Sequence, residues 1–177
     1  MFLYICMKHR LFIASFIQPD ISHDIRLLQE CFICQRLKLT APENFHITYS
    51  FLGLRREDEI FSIKKLLPEI NEAIDGVSFH LADVMCFEQH GRSPVVLRLE
   101  LSRNISSFIE YFQHITGGDK KTFVPHITIA KAGNVCLPEV LKEYKKLFSG
   151  FRKEIALEKA VLAESVTAPE GSVYQIL

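Results

Sequence analysis

The chain has no net charge: 21 Lys and Arg are cancelled by 21 Asp and Glu. Proteins that grip long nucleic acids draw most of their affinity from an excess of basic side chains that neutralise phosphates. Neutrality therefore speaks against a long footprint of that kind and leaves room for a small cleft that handles one end. A second Cys-x-x-Cys pair is also missing. Cys6, Cys31, Cys34, Cys86 and Cys136 are odd in number and unevenly spaced, and Cys31 and Cys34 stand alone without the partner pair of a zinc site. Free thiols in a reducing cytosol are expected. No apolar run approaches membrane-spanning length. The apolar stretch Met1–Cys6 is short, and its charges, Lys8 and Arg10, follow it, whereas a secretory signal puts charge first. Met7 is a plausible alternative start. A cytoplasmic protein is expected, with residues 1–9 as an extension and 10–177 as one domain of two lobes. No linker or low-complexity stretch divides it.

What is present suits a packed core. Hydrophobic residues make up 48% of the 177, including 14 Phe, and charged residues 24%, ordinary values for a globular domain. Leu11–Ile17 is short and almost wholly apolar, which predicts a strand buried on both faces. Pro19 and Asp20 open a helix running to about Gln35, with Ile25, Leu28 and Cys31/Phe32 at helical spacing. A loop with Pro42 leads to a strand over Phe45–Leu54, closed by Gly53. One helical stretch follows from Ile60 to Ile74. Strands are predicted around Val77–Phe87 and Val95–Leu101, the second alternating strictly with Arg98 and Glu100 outward. A helix over Asn104–Ile115, the Gly117-Gly118 break, a strand over Val124–Lys131 and a helix over Pro138–Phe148 come next. Strands around Ile155–Val166 and Val173–Leu177 flank a turn at Pro169–Gly171.

One segment repeats. Phe45-His-Ile-Thr-Tyr-Ser-Phe-Leu-Gly53 and Pro125-His-Ile-Thr-Ile-Ala-Lys-Ala-Gly133 each read as a strand ending in glycine before a helical stretch, with the histidines 80 residues apart. On a strand, residues two apart share a face. His46 and Thr48 thus lie on one side, as do His126 and Thr128, while the aromatic and aliphatic neighbours take the other. An imidazole gives or takes a proton near neutral pH, at an unperturbed pKa of about 6.5. Two of them flanking one phosphate permit a displacement in which one accepts the proton of the attacking oxygen and the other protonates the departing one. The threonine hydroxyls can donate to non-bridging oxygens where charge builds. Nothing in this scheme requires a metal or a cofactor. Matching strand context in both copies favours this over two unrelated strand histidines.

His114-Ile115-Thr116 is a third match of another kind. Ile105, Phe108, Ile109, Phe112 and Ile115 mark a helix, and at about 100° per residue His114 lies opposite that stripe. It reads as solvent-facing, and His9, His23, His80 and His90 as surface or structural residues. Lys131, three residues past Thr128, is either a phosphate or ribose contact or a solvated strand-end lysine. Arg55, Arg56, Lys120 and Lys121 flank the motifs, where they can steer anions or simply be solvated.

Through Arg10–Ala14, Pro42–Gly53, Pro125–Ala130, Glu164-Ser165 and Gly171–Leu177, the sequence resembles the 2H phosphoesterase superfamily, in its branch of 2′-5′ RNA ligases and RNA 2′,3′-cyclic phosphodiesterases. The resemblance implies a bilobal, duplicated α+β fold with two antiparallel sheets lining a central cleft and helices outside. It further implies metal-independent opening of a terminal cyclic phosphate to a 2′-phosphate, with the 3′-oxygen leaving. His46 and His126 would be the acid–base pair; Thr48, Thr128 and Lys131 would bind the substrate. The family commonly carries Arg where this chain has Lys131, and Lys lacks the planar fork for bidentate contacts. The expected partner is an RNA terminus or a small cyclic nucleotide, with no membrane and with the protein as a monomer. Ligation or cleavage of tRNA halves at a 2′-5′ linkage and a nucleotide-binding module without turnover are the alternatives.

Overall fold

A computed structural model describes residues 8–31, 37–87, 93–132, 137–169 and 171–177. The first strand, β1 (Lys8–Phe16), is buried from Leu11 through Ser15. It begins two residues before the domain boundary expected at Arg10. Pro19 opens α1 (Pro19–Glu30), with its missing N–H at a position that needs none. The helix stops at Glu30, short of the expected Gln35; Phe32, Cys34 and Gln35 fall outside the described residues. After the short β2 (Leu37–Leu39) and a 3-10 turn at Pro42–Asn44 comes β3 (His46–Arg56). Gly53 does not close this strand: with φ at +69° it sits within it, where only glycine is unstrained.

The single helix expected over Ile60–Ile74 is two, α2 (Glu57–Lys64) and α3 (Leu67–Ile74). Pro68, in the first turn of α3, cannot supply the N–H that a continuous helix would need there. The hairpin of β4 (Ser78–Cys86) and β5 (Ser93–Leu101) follows, then α4 (Ser106–Ile115), β6 (His126–Ala132) and α5 (Leu137–Phe148). The tail holds β7 (Ile155–Ala156), β8 (Val161–Ala168) and β9 (Gly171–Ile176). Expected as one strand, Ile155–Val166 is divided between two sheets.

Both sheets are antiparallel, in the orders β3-β1-β8-β9 and β2-β6-β5-β4-β7. The duplication is visible in the pairings. β1–α1–β3 and β5–α4–β6 are each a strand, a helix and an antiparallel partner strand that starts at the histidine. His46 sits opposite Phe16 and His126 opposite Arg98. Ile17 donates its N–H to the Phe45 carbonyl at 2.9 Å, and Leu99 donates to Pro125 at 3.0 Å, the same bond in each half. One large core joins the halves. Ile47, Tyr49, Ile127 and Ile129 from the two motif strands meet Ile21 and Ile25 of α1, Ile109 and Phe112 of α4, and Tyr144 of α5 there. A small second cluster, Phe12, Ala14 and Ala163 with Phe16 and Tyr174, covers the opposite face of the first sheet. No helix among the described residues is long and apolar enough to cross a membrane.

Candidate active site

Alternation carries His46 and Thr48 to one face of β3 and His126 and Thr128 to one face of β6. All four are half-buried, while Ile47 and Ile127 between them are fully buried. β3 and β6 lie against each other. The charges of His126 and Lys131 both bear on the His46 imidazole.

The two imidazoles are held alike. His46 Nδ1 lies 2.6 Å from the Asn44 carbonyl and His126 Nδ1 lies 2.7 Å from the Val124 carbonyl, each two residues upstream. A carbonyl only accepts, so each Nδ1 carries the hydrogen and each Nε2 is left for chemistry. This holds whether the ring is neutral or charged, so either residue can serve as acid or base without turning. Aromatic rings wall both. Phe12, Phe16 and Tyr174 lie 5.2, 5.6 and 5.1 Å from His46, and Phe87 meets His126 edge-on at 4.9 Å. Burial among these rings disfavours the charged form and pushes the His46 pKa down to about 4. The Asn44 carbonyl opposes the shift, and His126 and Lys131 add to it. Burial also lowers His126, against the pull of the Val124 carbonyl.

Directly after each threonine the strand bulges. Ile13 pairs with Ser50 and Ala14 with Thr48, leaving Tyr49 as the extra residue. Val95 pairs with Ala130 and Val96 with Thr128, leaving Ile129. A bulge shifts the phase of a strand by one residue, so Tyr49-Ser50 and Ile129-Ala130 are buried in succession. The third residue past each threonine, Phe51 or Lys131, is thereby returned to the exposed side. Strict alternation would have turned Lys131 away from Thr128.

Two buried glutamines, absent from the sequence-based expectations, hold these bulges. Gln29 of α1 donates its amide to the Ile129 carbonyl and, at 3.0 Å, to that of Thr40. Gln113 of α4 donates to the Tyr49 carbonyl at 2.9 Å. Each half's helix thus supports the other half's motif strand. The signal was present as Ile21-x3-Ile25-x3-Gln29 and Ile105-x3-Ile109-x3-Gln113: a polar residue continuing a buried stripe in both copies.

His114 is exposed on α4, while Thr116 is buried and hydrogen-bonded to the Phe112 carbonyl and Ser50, so this match lies outside the cleft. His9 faces Glu164 and His80 faces Glu100; His23 is exposed, and His90 falls outside the described residues. Arg55 and Arg56 are engaged elsewhere. Arg55 clips the Leu52, Thr116 and Gly117 carbonyls and Glu59, and Arg56 binds Asp58 and caps α2. Lys121 lines a cavity of about 400 Å³ that reaches His46, and Lys120 is exposed.

Comparison with known proteins agrees with this architecture. A family model described as LigT like Phosphoesterase matches residues 16–97, which include the first motif. An RNA 2′,3′-cyclic phosphodiesterase of Archaeoglobus fulgidus is 29% identical over 95% of this chain and 97% of its own length. One from Methanocaldococcus jannaschii is 28% identical over 95% and 98%, so both span the second motif as well. Among solved structures, E. coli LigT complexed with 3′-AMP superposes with a TM-score of 0.71 at 19% identity, covering 97% of this chain and 96% of that one. A protein of Thermus thermophilus gives 0.66 at 20%, covering 95% and 94%; these two share the fold. With its duplicated halves and matched motif strands, the chain is similar to the LigT-like phosphoesterases.

Proposed function

We propose that this phosphoesterase opens an RNA 2′,3′-cyclic phosphate to a 2′-phosphate, with His46 and His126 as its acid–base pair. The observation that carries the reading is the identical support of the two imidazoles, each fixed through Nδ1 to the carbonyl two residues upstream with Nε2 left for the substrate. The names of the archaeal relatives, which cover nearly the whole chain, point to the same substrate.

In the reaction one Nε2 accepts a proton from water as its oxygen attacks phosphorus. The other Nε2 gives its proton to the 3′-oxygen as the P–O3′ bond breaks, leaving a 2′-phosphate and a 3′-hydroxyl. Thr48 and Thr128 donate to the non-bridging oxygens, and Lys131, returned to the cleft side by the bulge, adds a positive charge near them. Neither proton transfer uses a metal. Because burial holds both histidines below their ordinary pKa, the substrate's own negative charge is what favours the protonated acid in the complex.

The test is incubation of the protein, in excess chelator, with an oligonucleotide ending in a 2′,3′-cyclic phosphate. Conversion to a 2′-phosphate end is expected. A 3′-phosphate product, or activity lost in chelator and restored by a divalent cation, would contradict the mechanism.

A further inference from the structure

His46 and Tyr174 stand on strands that the sheet order keeps apart. β3 and β9 are the two edges of the first sheet, with β1 and β8 between them. In a flat sheet they would run roughly 14 Å apart, at about 4.8 Å per strand. The Tyr174 ring nevertheless meets His46 edge-on at 5.1 Å and Phe12 at 4.9 Å. The sheet is therefore curled, and its two edges turn toward each other on the face that carries His46. Strand pairing alone does not secure that curl. Among the described residues, β9 has strand bonds to β8 and to no other strand.

One side chain closes the gap. Asn44 ends the 3-10 turn ahead of β3, and its carboxamide donates to the Ser172 carbonyl of β9 at 3.0 Å, 128 residues away. Its own carbonyl accepts the His46 Nδ1–H at 2.6 Å. The turn keeps its shape by bonds that do not involve this carboxamide. The Asn44 N–H donates to the Ala41 carbonyl at 2.9 Å, and the Phe45 N–H to that of Pro42 at 3.1 Å. Ser172 and Tyr174 lie two apart on β9, so a hold on the Ser172 backbone is a hold on the Tyr174 ring. The second half lacks this device. Val124 stands where Asn44 does and its carbonyl holds His126 alike at 2.7 Å, but its side chain has no donor. The clasp is an addition to the duplicated plan and not a part of it.

We propose that Asn44 is a positioning residue of this site. Its carboxamide clasps β9 across the curl of the sheet, so that one residue fixes both the His46 ring, through its carbonyl, and the Tyr174 wall beside that ring. It acts on the reaction through His46. This assignment rests on the cyclic phosphodiesterase reading, in which His46 is one of the acid–base pair, and the experiment separates the two. The other charged groups that bear on His46, His126 and Lys131, belong to β6, and a clasp on β9 leaves them in place. Releasing β9 therefore admits water to one imidazole and leaves the other as it was.

The experiment follows both imidazoles by NMR titration from about pH 5 to 8, the range in which an ordinary histidine changes charge. It uses the unaltered protein, Asn44→Ala, Tyr174→Ala and the double variant, alongside kcat and KM for an oligonucleotide ending in a 2′,3′-cyclic phosphate. In the unaltered protein His46, with its pKa at about 4, should stay neutral through this window. Asn44→Ala should bring the His46 titration up into it, because hydration restores the charged form, while that of His126 stays where it was. Its kcat should fall by about tenfold through misorientation of the ring, with KM changed by less than about twofold. Tyr174→Ala should also raise the His46 titration, and adding Asn44→Ala to it should shift it little further, since the two act in series. An Asn44→Ala protein whose His46 stays neutral would overturn the proposal. So would one whose His126 moves as far as His46, because the whole fold would then have loosened. Shifts that add in the double variant would do the same, as would a Tyr174→Ala protein whose His46 stays neutral, a result that needs no Asn44 variant to fold. If the unaltered protein opens no cyclic-phosphate end, the phosphodiesterase reading falls, whereas the His46 titration still decides whether Asn44 holds the ring.

Discussion

His46 and His126 owe their shared posture to a backbone carbonyl, and their depressed basicity to the rings around them. Replacing either by Ala should lower kcat by about 10²–10⁴-fold, the usual contribution of a proton-transfer group. His114→Ala should leave the rate near that of the unaltered protein; assays of the three variants side by side check this. Thr48→Ala and Thr128→Ala should lower kcat more than they raise KM, since their bonds strengthen as the phosphate gains charge. The pH profile follows from the direction of the shifts. With His46 at about 4 and His126 also below 6.5, one neutral and one charged imidazole coexist on the acid side of pH 6.5 in the free protein. The bell of kcat/KM should therefore be centred between about pH 4 and 6.5, its limbs belonging to the coupled pair. The kcat bell should be displaced upward by the bound phosphate. A kcat/KM profile still rising above pH 7 would show that burial does not govern these groups.

Bulges turn the motif strands into a cleft lining, and the glutamines that hold them can be ranked. Without Gln29 the Ile129 carbonyl still accepts the Thr40 N–H at 2.8 Å and the part-buried Thr40 carbonyl loses one donor, whereas without Gln113 the buried Tyr49 carbonyl and the Lys121 N–H both lose a partner. Gln113→Leu should therefore destabilise the fold by about 1–3 kcal/mol, the penalty of a buried unsatisfied acceptor, and by more than Gln29→Leu does. Chemical denaturation of both variants measures the difference; an equal or reversed order would contradict the assignment. At this scale the sequence was partly legible. Period-two alternation located β3, β5 and β6 to within two residues, because each has one buried face. The bulges were hidden because the pairs Tyr49-Ser50 and Ile129-Ala130 follow the motif without a glycine or proline to mark them. Lys131 was singled out by its proximity to Thr128, although the bulge is what puts it on that side. The break between α2 and α3 was available in Pro68.

Two halves, each with its own motif strand, were expected from the repeated segment together with the family resemblance. How the sheets are ordered was not legible. β8 joins the first sheet beside β1 from 150 residues away, and β7 the second, and local pattern does not encode such distant partners. Burying His46 also has a consequence for the whole molecule. Its folded pKa of about 4 lies below the unfolded value near 6.5, so the unfolded chain binds more protons between them. Stability is full above pH 6.5 and is lost as pH falls toward 4, by up to about 3 kcal/mol from this residue. His46→Asn should be less sensitive than the unaltered protein over that window, as thermal unfolding at pH 4.5 and 7 would reveal. A parallel fall in both would place the acid sensitivity elsewhere.

The central claim is that the two histidines act as one unit on one phosphate. It is tested most directly by the rate at which a saturating cyclic-phosphate-ended dinucleotide is opened by His46→Ala, His126→Ala and the double variant. Groups that work as a unit are strongly non-additive. The double variant should be no slower than the slower single one, within about threefold. Losses that multiply, or a single variant that retains most of the rate, would contradict the paired acid–base mechanism.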